Sequence, residues 1–337
     1  GLPIDAHTIV NVIALAFENV EHGAIDVTVL LSVTARREHI NMRFDALRDG
    51  GTLRIDNVLA EFGGSSFERH GLAFVHARLF QDYLSQIERH LRERGWVDEA
   101  YTYWFDEPDK KDYEFVADGM KRIKAAAPGI KRMLTEQPEP ELSGNVEIWC
   151  ALTPEWTPEK VAARRAAGEA VWWYICTGPK APYVTEFIDH AGTELRLWPW
   201  QSWQYGVEGI LIWATLYWNS TTAYPEPQLQ DPWQDPMSWQ VGYGLASGKK
   251  SPWGNGDGRF LYPPRHDPNT ANTPCLDAPI NSLRWENLRD GMEDYEYFWL
   301  LQREVERVAK TKGDSKLVQD ARGLLTVPAE VSQDLTH

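Results

Sequence analysis

Cysteine is scarce: three in 337 residues, Cys150, Cys176 and Cys275. No pair has a C-x-x-C or similar spacing, which argues against a thiolate metal site. Cys150 and Cys176 lie in strand-like apolar runs and read as buried free thiols, so the redox compartment stays open. Basic charge is also in deficit, with 34 Lys and Arg against 49 Asp and Glu and a net charge of −15. Phosphate binding needs basic surface, so a nucleic acid or an anionic membrane is not the expected partner. No apolar run reaches the ~20 residues that span a bilayer. The start, Gly1-Leu2-Pro3-Ile4-Asp5, has no basic segment followed by an apolar core, so no signal peptide is read there. The chain also lacks an initiating Met, so the missing leader excludes little. The nine His show no H-E-x-x-H or comparable spacing, and neither metal nor cofactor is expected.

One further absence is positional. The first 95 residues contain no Trp, and all 16 lie at or after Trp96. Trp packs cores, but it also forms platforms for ligands with an apolar face. Its distribution points to the last two-thirds of the chain for ligand handling. With 43% hydrophobic and 25% charged residues, the composition is that of an ordinary globular protein, long enough to bury a substantial core.

From Trp96 onward short apolar strands alternate with amphipathic helices. Phe80 to Arg94 reads as a helix closed by Gly95, and Lys110 to Ala127 as a second, closed by Pro128-Gly129. Between them Ala100 to Phe105 is an aromatic strand. Further strands are expected at Lys131–Thr135, Val146–Ala151, Ala170–Cys176 and Gly209–Ala214. Helices are expected at Pro158–Ala167, Tyr183–His190, Glu194–Tyr205 and Ser282–Lys310. This alternation implies an α/β fold with a parallel sheet. Polar and aromatic residues recur just after successive strands, where a (β/α)8 TIM-type barrel gathers its site. No glycine-rich dinucleotide loop opens a helix, which weakens the open-sheet alternative.

The barrel is expected over residues 1–310, followed by a polar tail or helix at 311–337. His7–Phe17, Ala24–Val33 and Leu53–Phe62 are candidates for its first strands and helix. Residues 1–50 are poorly assigned, so the barrel is expected to be irregular or incomplete at its N-terminal strands. Tyr224–Pro236 and Gly248–Pro279 are rich in Pro, Gly, Asn and Asp and read as long surface loops.

Trp104-Phe105-Asp106-Glu107-Pro108 ends an apolar strand in two acids, with Pro108 barring regular continuation. Strand neighbours point to opposite faces, so both acids face one ligand only if the strand is breaking there. Cleaving a glycosidic bond needs an acid for the leaving oxygen and a second group for the oxocarbenium-like centre. A charged neighbour and partial burial among Trp and Phe would keep one acid protonated. Taken alone, the pair reads more readily as a helix N-cap.

The surroundings reverse that. Trp149 lies on one strand, Trp172, Trp173 and Tyr174 on the next, then Trp213, Tyr217 and Trp218. Sugars present flat C–H faces with hydroxyls, which rings and a few polar groups can bind. Core packing is the alternative for any single ring, and it holds for most of them. The segment Trp253-Gly254-Asn255-Gly256-Asp257-Gly258-Arg259 lacks the Lys-Ser/Thr of a phosphate loop. It is either a tight turn or a loop offering Asn255 or Asp257 to sugar hydroxyls. Arg284 either pairs with an acid of the site or makes a surface ion pair.

Five segments carry a resemblance. They are Tyr103–Pro108, Trp172-Trp173-Tyr174-Ile175-Cys176-Thr177-Gly178-Pro179, Gly206–Trp213, Gly254–Pro263 and Arg284-Trp285-Glu286-Asn287-Leu288-Arg289-Asp290-Gly291-Met292-Glu293-Asp294-Tyr295-Glu296-Tyr297. In that order, from about Gln81 to Arg307, they resemble the catalytic domain of glycoside hydrolase family 123. The resemblance implies release of terminal β-linked N-acetylgalactosamine from a glycan by a retaining, substrate-assisted mechanism. In it the sugar's 2-acetamido oxygen attacks the anomeric carbon, giving an oxazolinium-type intermediate. Asp106 would orient the acetamido nitrogen, and Glu107 would be general acid and then base. A secreted or periplasmic setting is also implied. The alternatives are the same mechanism on another 2-acetamido sugar, or a glycan-binding barrel without catalysis. The oligomeric state stays open.

Overall fold

The computed structural model describes residues 32–35, 38–41, 65–218, 231–240, 249, 251–265 and 277–336, with side chains from residue 79. The chain divides into two compact units, Gly1–Ile148 and Trp149–His337. In the first, β1 (Ser32–Ala35) and β2 (Glu38–Asn41) form an antiparallel pair. Helix α1 (Ser65–Arg94) begins well before Phe80. It ends where Gly95, at φ +73°, lets the Trp96 N–H reach the Leu91 carbonyl, a left-handed helix cap. Strand β3 (Tyr101–Asp106), helix α2 (Tyr113–Ala126) and strand β4 (Lys131–Thr135) follow, with β3 parallel to β4.

Helix α2 buries Val116, Met120 and Ile123, residues at helical spacing that make one apolar face. Strand β4 buries all but its first residue. One of those is Arg132, only 4% exposed. Its guanidinium grips Glu147 through Nε to Oε2 at 2.8 Å and Nη2 to Oε1 at 2.7 Å, and donates to the Met120 carbonyl at 3.1 Å. Lys124 adds a 2.8 Å contact to Glu147 Oε1. Burial opposes the Glu147 charge, but these donors outweigh it and hold the carboxyl below its ordinary range.

In the second unit, α3 (Pro158–Ala166) starts at Thr157, whose hydroxyl accepts from the Lys160 N–H. Strand β6 (Ala170–Tyr174), helix α4 (Glu194–Tyr205) and strand β7 (Gly209–Leu211) follow, with β6 parallel to β7. Gly206, at φ +71°, closes α4 so that the Val207 N–H returns to the Ser202 carbonyl. Helix α5 (Leu283–Lys312) is capped by Ser282 Oγ. It meets α4 closely at Gly291, where a Cβ would lie 2.6 Å from the Arg196 carbonyl oxygen. Arg196 then forks onto Asp294 at 2.8 and 3.1 Å. The segment beyond, with α6 (Lys316–Gly323), buries Val318, Val327 and Leu335. It also accepts hydrogen bonds from Trp203 and Gln201 of α4 at the carbonyls of Leu325 and Asp334.

Strand β5 (Ile148–Leu152) starts at the end of the first unit, and β3 to β7 form one five-stranded sheet in consecutive order. The fold is therefore mixed α/β with this sheet, and a closed eight-stranded barrel is not what the described residues show. The β1–β2 pair cannot supply two missing barrel strands: they run antiparallel, four residues each, with two residues between, whereas a barrel needs parallel strands and crossovers. His7–Phe17 and Leu53–Phe62 lie outside the described residues, as does most of Ala24–Val33.

Two further expectations are corrected. Tyr183–His190 is extended and turning rather than helical. Val184, Thr185, Glu186 and Phe187 are all buried in succession, which no surface helix allows. The Gly248–Pro279 stretch also carries two strands, each paired with one outside it: β8 (Met237–Gln240) pairs antiparallel with β9 (Ser251–Asn255), and β10 (Leu261–Tyr262) with β11 (Ile280–Asn281).

The Arg132–Glu147 pair yields a stability prediction. Glu147 is held below its ordinary value, so its contribution is full above that value and is lost as pH falls through the depressed one. Glu147→Ala should cost about 3 kcal/mol near neutrality, the low end for a broken buried pair because Glu147 is partly solvated. Urea denaturation should show the gap narrowing in acid.

Candidate active site

Pairing of β3 with β4 runs Tyr103↔Met133 and then Asp106↔Thr135. Three steps on β3 thus match two on β4, so β3 carries one extra residue, a β-bulge. In a regular strand, residues three apart face opposite sides. The bulge brings Tyr103 and Asp106 to the same side, and the Tyr103 hydroxyl donates to Asp106 Oδ1. Thr135, 3% exposed, closes the arrangement. Its Oγ1 donates to the same Asp106 oxygen at 2.9 Å and accepts from the Glu107 N–H at 3.0 Å.

Glu107 stands at φ +40°, the one non-glycine residue with positive φ among the described residues. Such a backbone costs an L-residue roughly 1–2 kcal/mol, and strain of this kind collects at functional positions. It is how the strand breaks so that two adjacent acids escape the alternation of a strand. Asp106 and Glu107 are both exposed, so the partial burial expected of them is not found. Asp109, rather than either acid, precedes the short 3-10 turn at Lys110–Asp112, and its side chain makes no capping bond. The cap reading of the acid pair therefore has no support.

A third acid follows β4. Glu136 is half-buried, which pushes its carboxyl upward. Hydrogen bonds from the Gln137 N–H and the Tyr113 hydroxyl pull the other way, and the charges of Glu139 and Glu107 add to the rise. The Tyr113 hydroxyl is itself pushed up to about 12, by burial first and then by Glu136 and Glu139.

In the second unit the chain after β7 sets Trp213, 37% exposed, edge-on to Tyr217 and Trp253, with centroids 4.8 and 5.8 Å away. Tyr217 stacks on Trp253 at 6.3 Å. The Trp213 indole N–H donates to Asp257 Oδ1 at 2.8 Å. Gly258, at φ +68°, lies beneath: a Cβ there would come within 2.6 Å of the Trp213 ring. Asp257 and Glu186 are both wholly buried. Burial, then the hydrogen bond and charge of Asp257, push the Glu186 carboxyl well above its usual range, against the pull of Arg284 and the Gly258 N–H. Arg284, 6% exposed, donates to the carbonyls of Glu186, Gly256 (3.0 Å) and Arg259 (2.6 Å).

Set against known families, residues 74–301 match the family described as Glycoside hydrolase 123, catalytic domain. The chain belongs to this family. It is thus a glycosidase domain, with a glycan as substrate. No curated protein matches the sequence significantly.

The family 123 domain distributes the residues expected from sequence unevenly. Asp106 and Glu107 come together at the broken end of β3, while Trp213, Tyr217 and Asp257 form one cluster with Arg284 behind it. Trp149 and Trp173 lie in the core, each 0% exposed. Their indoles are committed to Glu169 Oε2 at 2.8 Å and Ser202 Oγ at 3.1 Å, so neither has a face for stacking. Tyr174 is buried at 6%, and the Trp218 indole donates to the Leu261 carbonyl at 2.7 Å. Asn255 is half-buried and donates to both oxygens of Asp189 at 3.1 Å. Asp257 is buried with its Oδ1 taken by the Trp213 indole, and Arg284 is buried against backbone carbonyls rather than in a surface ion pair.

Sequence reasoning missed Tyr103, Thr135, Glu136 and Glu186. Glu136 was accessible by the strand-end rule that picked out Asp106, since it directly follows β4. Tyr103 and Thr135 needed the bulge, and Glu186 was hidden by the false helix.

The Glu107 backbone gives a direct prediction. Glycine accepts φ +40° without penalty whereas alanine does not. Glu107→Gly should be more stable than Glu107→Ala by about 0.5–1 kcal/mol, the reverse of their order in a regular element, as read by chemical denaturation.

Proposed function

We propose that this domain is a retaining exo-glycosidase that releases terminal β-linked N-acetylgalactosamine by substrate-assisted catalysis. The carrying observation is the bulged end of β3, where Asp106 is held by Tyr103 and Thr135 while Glu107 leaves the strand at positive φ. Two carboxylates flanking one bond from opposite sides are the usual glycosidase arrangement. Adjacent residues suit a different division of labour. If the nucleophile belongs to the substrate, both acids can work near one face.

In this reading, protonated Glu107 gives its proton to the glycosidic oxygen as the bond to the anomeric carbon breaks. The substrate's acetamido carbonyl oxygen attacks that carbon from the other face and closes an oxazolinium ring. Asp106 accepts the acetamido N–H, orienting the group and balancing the positive charge that develops on it. Glu107, now a carboxylate, takes a proton from water, and the resulting attack on the anomeric carbon reopens the ring. Two inversions retain the β configuration. Asp106 must stay fixed for this, and the hydroxyls of Tyr103 and Thr135 hold it. The exposed Trp213 ring, braced by Tyr217 and Trp253, offers an apolar face of the kind sugars stack on. The N-acetylgalactosamine specificity rests on the family resemblance. A single hydrogen bond to the 4-hydroxyl separates it from the gluco epimer.

The test is turnover of a chromogenic β-N-acetylgalactosaminide, alongside the N-acetylglucosaminide. Glu107→Gln should lower kcat by roughly 10²–10⁴-fold, the usual worth of a general acid–base group. Asp106→Asn should also lose turnover, and azide should rescue Glu107→Ala. Undiminished turnover by Glu107→Gln would refute the role given to Glu107.

A further inference from the structure

Four observations in the second unit converge on Glu186 and Asp257. Both side chains are 0% exposed, and they meet side chain to side chain. Two of their four oxygens have a donor. Asp257 Oδ1 accepts the Trp213 indole N–H at 2.8 Å, and Glu186 Oε1 accepts the Gly258 N–H at 3.3 Å. Glu186 Oε2 and Asp257 Oδ2 remain, each buried with no protein donor. Two carboxylates cannot both be ionised in such a place, and two orphaned acceptors each carry a desolvation cost. One proton removes both problems, making Glu186 Oε2–H the donor to Asp257 Oδ2.

Charge balance agrees. The groups facing the pair are Arg284 from α5 and Arg259 after β9, with Asp235, Tyr217 and Tyr262 acting on those arginines. With one shared proton, the pair as a whole carries a single negative charge beside these two guanidinium groups. Loss of that proton would leave an uncompensated buried negative charge. The pair is also anchored on every other side. Ser238 Oγ donates to the Asp257 carbonyl at 2.5 Å, and Arg284 binds the Glu186 and Gly256 carbonyls.

We propose that Glu186 and Asp257 share one proton, and that this acid pair is a positioning device which fixes the Trp213 ring as a sugar-stacking platform. The inference rests on the glycosidase reading for the identity of the ligand. Neither acid touches substrate. Glu186 holds Asp257, Asp257 holds the indole N–H, and the ring presents its face. Glu186→Gln keeps the arrangement, because its amide nitrogen donates permanently to Asp257 Oδ2 while its oxygen still accepts from Gly258. Glu186→Ala leaves Asp257 unmatched.

The experiment follows the indole ¹⁵N–H resonances of Trp-labelled full-length protein, with Trp213 assigned by its absence in Trp213→Phe. Raising the pH from neutrality up to the alkaline limit of the folded state should shift the Trp213 resonance in the unaltered protein, as the shared proton is lost, and leave it still in Glu186→Gln. Added N-acetylgalactosamine should perturb the same resonance. In the chromogenic assay Glu186→Ala should raise KM by roughly 5–10-fold, the size of one ordered hydrogen bond, with kcat changed less. Glu186→Gln should restore KM, and should lack the rise in KM that loss of the shared proton produces at alkaline pH in the unaltered protein. Identical titration of Trp213 in the unaltered protein and Glu186→Gln, or no titration in either, would overturn the shared proton. A resonance blind to the sugar would overturn the platform. Absence of turnover by the unaltered protein would count against the glycosidase reading, while the resonance titration would still decide the acid pair.

Discussion

A single threonine hydroxyl ties together the end of β3. Thr135 Oγ1 donates to the carboxylate of Asp106 and accepts the backbone N–H of Glu107. The Tyr103 hydroxyl lies 3.2 Å away. This works only because β3 contains a bulge, which sets Tyr103 and Asp106 on one side and in register with Thr135. A hydroxyl can serve in this way because it both donates and accepts. Without the bulge, Tyr103 and Asp106 would face apart. Without Thr135, the positive-φ backbone at Glu107 would lose its anchor. The chemistry proposed for the acids depends on that one buried side chain of the neighbouring strand.

The two acid groupings of the molecule follow opposite physical strategies. Asp106 and Glu107 are exposed, with hydroxyl donors aimed at Asp106, which suits a group that must meet a substrate in a fixed orientation. Glu186 and Asp257 are wholly buried against arginines, which suits a pair that must keep a proton. Buried ionisable pairs are weak evidence for stability, since desolvation opposes their attraction. Their value here is orientation: they hold an exposed ring that nothing apolar could aim as sharply.

Much of this was readable in the sequence. Strands β3 to β7 and helix α4 followed from apolar runs and their punctuation, and Pro108 marked the strand break that Glu107 makes real. The acid pair and the Trp213–Tyr217 cluster were visible because chemistry-bearing residues stood at strand ends. The rest failed for physical reasons. Trp149 and Trp173 looked like site residues, yet β5 and β6 are packed so that these rings lie inside, and only their indole partners Glu169 and Ser202 reveal it. Tyr183–His190 has helix-compatible spacing, but successive buried residues hold it extended. The bulge has no sequence signal of its own, because it is a property of pairing between β3 and β4. A five-stranded consecutive sheet, rather than a full barrel, is what the described residues show.

In the proposed mechanism Asp106 steers a nucleophile carried by the substrate. The measurement that tests it most directly is a crystal structure with a thiazoline mimic of the oxazolinium intermediate. The Asp106 carboxylate should lie within hydrogen-bond distance of the ring nitrogen, still held by Tyr103 and Thr135, with Glu107 beside the anomeric carbon on the face that water would attack. A thiazoline bound with its ring nitrogen remote from Asp106, or an acid of the protein covalently attached to the sugar, would contradict it.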